Sequence, residues 1–262
     1  MFNLFRKKNK TTINSKIRIE KTTDGFVGDF WNGYLGFEEH GANNFAQELT
    51  ACTMEYGHII SSNASIIVSR LDGSHSSIFM YSKNESILSA YPILKSKNSI
   101  SFQTIKIIEW EHMENLEAQI EGRGENKFGI SFFADDYVLN KRKYQENENL
   151  RVVLTGFVIT AEIFQPSEGF ADNFVAYMPN SEYGKYSVMD YVGEVKNVSF
   201  VNEDIYGINI EGYVMTLILV RSEEENVYFE LDVFLNKNNT ELNDIKVGDK
   251  LSGMIKLSGR IE

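Results

Sequence analysis

Two distant segments of this chain are written to one pattern. VVLTGFVITAEI (152–163) and DKLSGMIKLSGRI (249–261) each alternate apolar residues around a small-residue–Gly step, and each follows a polar loop. Period-two alternation is the mark of a strand with a buried face, and a glycine within it marks a bend or a close backbone approach. Val153-Leu154-Thr155-Gly156 falls over Lys250-Leu251-Ser252-Gly253, 97 residues further on.

A second echo lies ahead of each segment. IKIIEWEHMENLEAQIEG (105–122) lies without a gap over VKNVSFVNEDIYGINIEG (195–212), with Lys106 and Lys196, Ile120 and Ile210, Glu121 and Glu211, and Gly122 and Gly212 identical. In both copies IEG leads to an apolar strand, then to a polar, partly helical stretch, then to the opening motif. The second copy is seven residues longer, which points to an extended hairpin around YVMTLILVRSEEEN. Strand, longer curved strand, strand, polar connector and strand pair is the order of a small Greek-key barrel of the OB type. The expected fold is therefore mainly β: two tandem OB-like units at 105–164 and 191–262, joined by a Pro- and Gly-containing connector at 165–190. Within GMIKLSGRI, alternation sets Ile255, Leu257, Gly259 and Ile261 on the buried face, and Met254, Lys256, Ser258 and Arg260 on the other.

The stretch before 105 reads as an α+β, β-meander region from 22 to 104. One helix is expected at about 43–56, with Asn44 as its cap, Gln47 at the capping-box position and Gly57 as its stop; Phe45, Leu49, Cys52 and Tyr56 share a face. Hairpins follow through IISSNASIIVSRL, IFMYS and ESILSAYPIL. The glycine- and aromatic-rich run DGFVGDFWNGYLG (24–36) reads as sheet core, with a sugar or peptide groove as the competing reading of Phe26, Phe30, Trp31, Tyr34 and Phe37.

Charge bounds the partners. The chain carries −11 overall, but residues 1–21 sum to +6, and taking +6 from −11 leaves −17 for the rest. A body so acidic argues against nucleic acid, whose affinity comes from neutralised phosphates, and favours a basic protein partner. Residues 1–21 read as a flexible basic tail; Phe2, Leu4 and Phe5 beside Arg6, Lys7, Lys8 and Lys10 allow a weak membrane-surface contact. No run approaches 18 apolar residues, and the single cysteine, Cys52, needs no oxidising compartment, so the expectation is a soluble, cytoplasmic, bacterial protein.

The chemistry-bearing residues are few. His40, Cys52 and His58 fall at spacings that match no zinc pattern, and no Walker, Rossmann, GxSxG or HExxH motif is present. No cofactor is expected. Asp135 and Asp136 end a predicted strand, and Glu223, Glu224 and Glu225 sit at a predicted hairpin tip; these acids are the candidate protein contacts. Lys141, Arg142, Lys143 and Tyr144 form a basic loop that would serve an OB-type single-stranded nucleic-acid module. The sequence names no specific activity. Its leading expectation is a non-enzymatic binding protein of the immunity or inhibitor kind, acting through acidic surfaces. The nucleic-acid module comes second and a metal-dependent enzyme using 24–60 third.

Overall fold

In the computed structural model, residues 17–37, 41–62, 65–124, 128–166, 171, 173–184, 187–222 and 227–262 are described. The chain is mainly β, as its alternation predicts. Strand β1 (Arg18–Thr22) begins inside the stretch read as a tail, and helices α1 (Gly28–Leu35) and α2 (Ala42–Tyr56) follow. Strands β2 (His58–Ser62), β3 (Ile66–Asp72), β4 (Ser76–Lys83) and β5 (Ser86–Leu94) then form a small antiparallel meander in sequence order.

Helix α1 corrects the reading of 24–36 as sheet. Its glycines disguise it, yet Gly33 has a purpose: a Cβ there would come within 2.7 Å of the Phe157 Cβ, so only glycine lets the helix lie this close to the strand beneath. Phe30 and Tyr34 are each 1% exposed. Phe30 meets the rings of Phe133 and Phe157, and Tyr34 those of Phe157 and Phe234, so these two fill a core, whereas Phe26 is 54% exposed and Phe37 lines an open cavity of about 690 Å³. Burying two such rings contributes about 1.5–3 kcal/mol each. The carbonyls at the end of α1 are bonded from elsewhere in the fold: the Asn236 side-chain amide donates to Tyr34 O at 2.7 Å, and that of Asn239 to Asn32 O at 2.9 Å beside the Gly36 N–H at 3.1 Å. Helix α2 spans nearly the expected residues, but Gly41, at φ 81°, takes the cap position predicted for Asn44.

The remaining strands form the large sheet: β6 (Ser99–Trp110), β7 (Ala118–Gly124), β8 (Gly129–Ala134), β9 (Asn149–Ile163), β10 (Ala176–Pro179), β11 (Val188–Ile205), β12 (Ile208–Ser222), β13 (Val227–Asn236) and β14 (Lys250–Ile261). Helix α3 (Tyr137–Glu146) lies between β8 and β9, where the sequence suggested a polar, partly helical stretch carrying a basic loop. Strand β1 pairs in parallel with β6, and β10 pairs with β11.

Two five-stranded circuits can be traced through these pairings. The first runs β6-β7-β8-β14-β9 and returns to β6, with β8 and β14 parallel. The second runs β11-β12-β13-β9-β14 and returns to β11, with β13 and β9 parallel. Each is a three-stranded meander whose third strand meets a parallel neighbour, the order of an OB-like Greek key. The exchange is reciprocal: in the order traced, β9 stands fifth in the first circuit and fourth in the second, and β14 is the reverse. The rings are unevenly closed, since the β8–β14 seam holds only Phe133↔Ser258 and Ala134↔Gly259, whereas β9 and β14 pair from Val152↔Ile261 to Ile163↔Leu251.

The two echoing motifs are therefore partners in one ladder. Their glycines bring backbones together: a Cβ on Gly253, at φ 156°, would sit 1.9 Å from Thr160 O, and one on Gly156 would sit 2.5 Å from Ile255 Cγ2. The longer second copy is accounted for by the β12–β13 hairpin, whose strands exceed β7 and β8. The ungapped overlay of 105–122 on 195–212 holds in strand order but not in register, because the first hairpin turns through 111–117 and the second through Tyr206 and Gly207.

Sharing also overturns the expected faces of β14. Lys256 is fully buried and Ser258 is 1% exposed, although alternation placed them outside. A strand held between two circuits, with α1 above it, has no solvent face, as in sheets covered on both sides.

Candidate functional site

Strand β8 ends in the apolar run Phe132-Phe133-Ala134, all buried, and the next two residues, Asp135 and Asp136, carry the chain into α3. These acids are not surface residues: they are 1% and 7% exposed. Asp136 is committed to the fold. Its carboxylate accepts from Tyr144 Oη at 2.7 Å, Asn140 Nδ2 at 2.6 Å and the Ile261 backbone N–H at 3.1 Å, which ties α3 to β14. Asp135 meets Arg260 Nη1 at 3.3 Å through Oδ2, while the Arg260 Nη2 donates to Leu94 O at 3.1 Å. Burial raises the pKa of both acids. At Asp135 the Arg260 guanidinium pulls the other way and the neighbouring Asp136 adds to the rise.

The basic residues of α3 face different surroundings. Tyr144 is fully buried and so has no face for stacking on a base. Lys141 Nζ lies 2.8 Å from Glu109 Oε1, a buried carboxylate that also accepts from Tyr137 Oη and Gln145 Nε2. Arg142 pairs with Glu146 along the helix at 2.6 Å, and Lys143 is exposed.

Of the metal candidates, Cys52 is half-buried on α2, and His58 stands on β2 with Nε2 3.6 Å from Asp72 Oδ2. His40 lies outside the described residues, as do Glu223, Glu224 and Glu225; the strands on either side of these acids pair as far as Ser222↔Val227. Among the described residues, no three His, Cys, Asp or Glu side chains are grouped to hold a metal.

The structure also brings together residues that sequence reading missed. On the surface, Tyr56 at the end of α2 stacks on Tyr206 in the β11–β12 turn, with centroids 4.8 Å apart and planes 12° apart. They are 52% and 54% exposed. Glu55 adjoins the first ring and pushes the Tyr56 hydroxyl pKa up, and Asp204 lies two residues from the second. Alongside, Phe45, Asn209 and Glu211 line a recess of about 320 Å³ between α2 and the hairpin.

Inside, Glu203 of β11 accepts from Ser74 Oγ at 3.0 Å, the His75 N–H at 2.7 Å and Ser76 Oγ at 2.7 Å, and so holds the β3–β4 turn against the large sheet. Lys256 Nζ sits 5.2 Å from the centre of the Phe30 ring, 3.5 Å from Asp29 Oδ2 and 3.3 Å from Phe26 O. Burial lowers its pKa to about 8 against the pull of Asp29 and Glu117. The only local hint in the sequence was a lysine inside an otherwise small and apolar strand.

Comparisons of the chain with protein-family models, with curated proteins and with solved structures return no match.

Proposed function

We propose that this is a non-catalytic binding protein that docks a basic protein partner on the face built by α2 and the β11–β12 hairpin. The observation that carries this reading is the exposed Tyr56–Tyr206 stack with acids beside it. Tyrosines that are ordered against each other yet open to water offer large contact area at low entropy cost, the character of interface anchors. Phe45, 39% exposed, adds an apolar side chain at the other end of α2, and the recess beside it is lined largely by polar groups such as Asn209 and Glu211 that can bond a partner.

Electrostatics favours a cationic partner. Basic side chains of the large sheet are largely spoken for by their own neighbours: Lys106 by Glu121, Lys196 by Glu230, Arg221 by Glu194, and Lys237 by Glu211. The surplus carboxylates of a −11 chain are left to set the field outside, which steers a basic surface inward. An immunity or inhibitor protein that neutralises a basic toxin or nuclease is the specific form of this reading.

The test is binding to a panel of basic nucleases and toxins at low and high salt, comparing the native protein with Y56A/Y206A and with E55K/D204K. Salt-sensitive binding that both double variants weaken at least tenfold, with unchanged circular dichroism, is the expected outcome. Failure to bind any basic protein, or equal binding by the variants, overturns it.

A further inference from the structure

The small meander and the first circuit do not meet flush. Between them lies a cleft of about 410 Å³, within the range of small-molecule sites. Its walls follow from strand register. Arg70 pairs with Phe79, Asp72 with Ser77, and Ser77 with Ile93, so alternate residues of β3, β4 and β5 present one mixed face. The opposite wall is Asp135 with Leu139 of α3 and Arg260 of β14, and Lys95 closes the end.

The cleft brings both signs of charge together. Asp72 gathers Arg70 and Lys95, with contacts of 3.1 and 3.4 Å. Asp136 is already saturated by Tyr144, Asn140 and Ile261. Asp72, Asp135 and Asp136 are thus set against Arg70, Lys95 and Arg260, three acids against three bases, so the cleft suits a ligand that carries both charges better than a simple anion or cation. One buried acceptor is also open: Asp135 Oδ1 receives no hydrogen bond of good geometry, and the Ser258 hydroxyl, which is engaged with Thr155 at 2.9 Å, helps its charge only weakly. An orphaned buried carboxylate oxygen costs stability unless a donor reaches it.

A ligand that answers these features carries a carboxylate for the arginines, a charged donor beside it for Asp135 Oδ1, and an apolar tail for Phe79, Ile93 and Leu139. We propose that the cleft binds a free α-amino acid with an apolar side chain. The carboxylate lies against Arg260 and Arg70, the ammonium reaches Asp135, and the side chain covers the Phe79–Ile93 wall. Neither the α2 face nor its partner enters into this site.

The experiment is methyl NMR on protein labelled at Ile and Leu, titrated with leucine and with phenylalanine. Leucinamide, which lacks the carboxylate, and 4-methylpentanoate, which lacks the ammonium, serve as controls. Saturable shifts at Ile93 and Leu139 are expected with an amino acid, with at least tenfold weaker binding of both analogues. Arg70→Gln and Lys95→Gln change side chains that are 42% and 44% exposed, so the fold tolerates them, and each should weaken binding several-fold. The proposal is overturned if these methyls stay unmoved up to about 10 mM ligand, a concentration that reveals any affinity worth more than roughly 3 kcal/mol. It is also overturned if either analogue binds as well as leucine.

Discussion

Replacing Lys256 with methionine should stabilise this protein at neutral pH, although it removes an ion pair. Lys256 is fully buried, and burial lowers its pKa from 10.5 to about 8 even with Asp29 and Glu117 nearby. That difference is worth about 3 kcal/mol against the charged form. At pH 7 the folded protein bears nearly all of this cost, because the lysine is still protonated below its folded pKa. The sign follows from proton binding: between about 8 and 10.5 the unfolded chain holds the proton and the folded one does not, so stability rises with pH across that window. Methionine fits the lysine stem and carries no charge. It loses the attraction to the Phe30 ring and the bond to Phe26 O, worth roughly 1–2 kcal/mol together. Asp29 is not stranded by the change, since 22% of its side chain is in water and it lies in the first turn of α1, where the helix dipole favours an acid. Lys256→Met should therefore gain about 1–2 kcal/mol at pH 7, and the gain should shrink by about 2 kcal/mol by pH 9.5 as the native lysine sheds its proton. Urea unfolding of both proteins at pH 7, 8 and 9.5 measures this. A variant less stable than the native protein at pH 7, or a difference that does not change with pH, would refute the reasoning.

Three further outcomes can be read by the same unfolding assay. Glu203→Ala leaves the donors of Ser74, His75 and Ser76 without their shared acceptor and should cost about 2–4 kcal/mol, while Glu203→Gln recovers part of it; equal loss in both variants would show that packing, not hydrogen bonding, sets the cost. Burial pushes Glu117, 1% exposed, up to about 7, against the pull of Ser89, Tyr81 and Lys256, so the folded protein keeps a proton that the unfolded chain releases near 4.5. That contribution is present below 4.5 and lost as pH rises through 7, and Glu117→Gln should remove about 3 kcal/mol of the native decline between pH 4.5 and 8. Gly253→Ala, which drives a Cβ into Thr160 O at a positive φ, should cost more than about 3 kcal/mol, and Gly156→Ala, which meets side-chain methyls of Ile255, Leu231 and Val233 rather than backbone, about 1–3; the reverse order would mean that the strand pair relaxes more freely than its geometry allows.

What could be read in the sequence was local. Period-two alternation located the meander strands and β14, and α2 lies where expected, but of the face expected from Phe45, Leu49, Cys52 and Tyr56 only Leu49 is buried, the other buried residues being Ala42 and Thr53 while Phe45 and Tyr56 are exposed. Helix α1 was hidden because Gly28, Gly33 and Gly36 resemble loop signals, and Gly33 is there for its contact with Phe157, which only the fold reveals. Helix α3 was half visible as a polar, partly helical stretch, but its polarity gave no apolar face to bound it: Tyr137 and Tyr144, two turns apart, are its only buried residues. The exchange of β9 and β14 left a faint trace, the nearly unbroken apolar run from Val152 to Ile159, which suits a strand covered on both sides better than a half-exposed one. Partner choice between strands is non-local, so neither the exchange nor the burial of Lys256 follows from alternation. The cleft was equally out of reach, because Arg70, Asp135 and Arg260 come from three separate stretches of chain.

The reciprocal exchange of β9 and β14 has a consequence for the order in which this protein can be made. The first circuit owns β6 to β9 but is completed by a strand that begins at Lys250, almost ninety residues after β9 ends. At translation speeds of about 5–20 residues per second, those residues take roughly 4–18 s to appear. During that time the nascent first half carries an open edge along β9, the kind of edge that invites pairing with another chain. Neither half can mature alone, and they finish together when β14 slides between them.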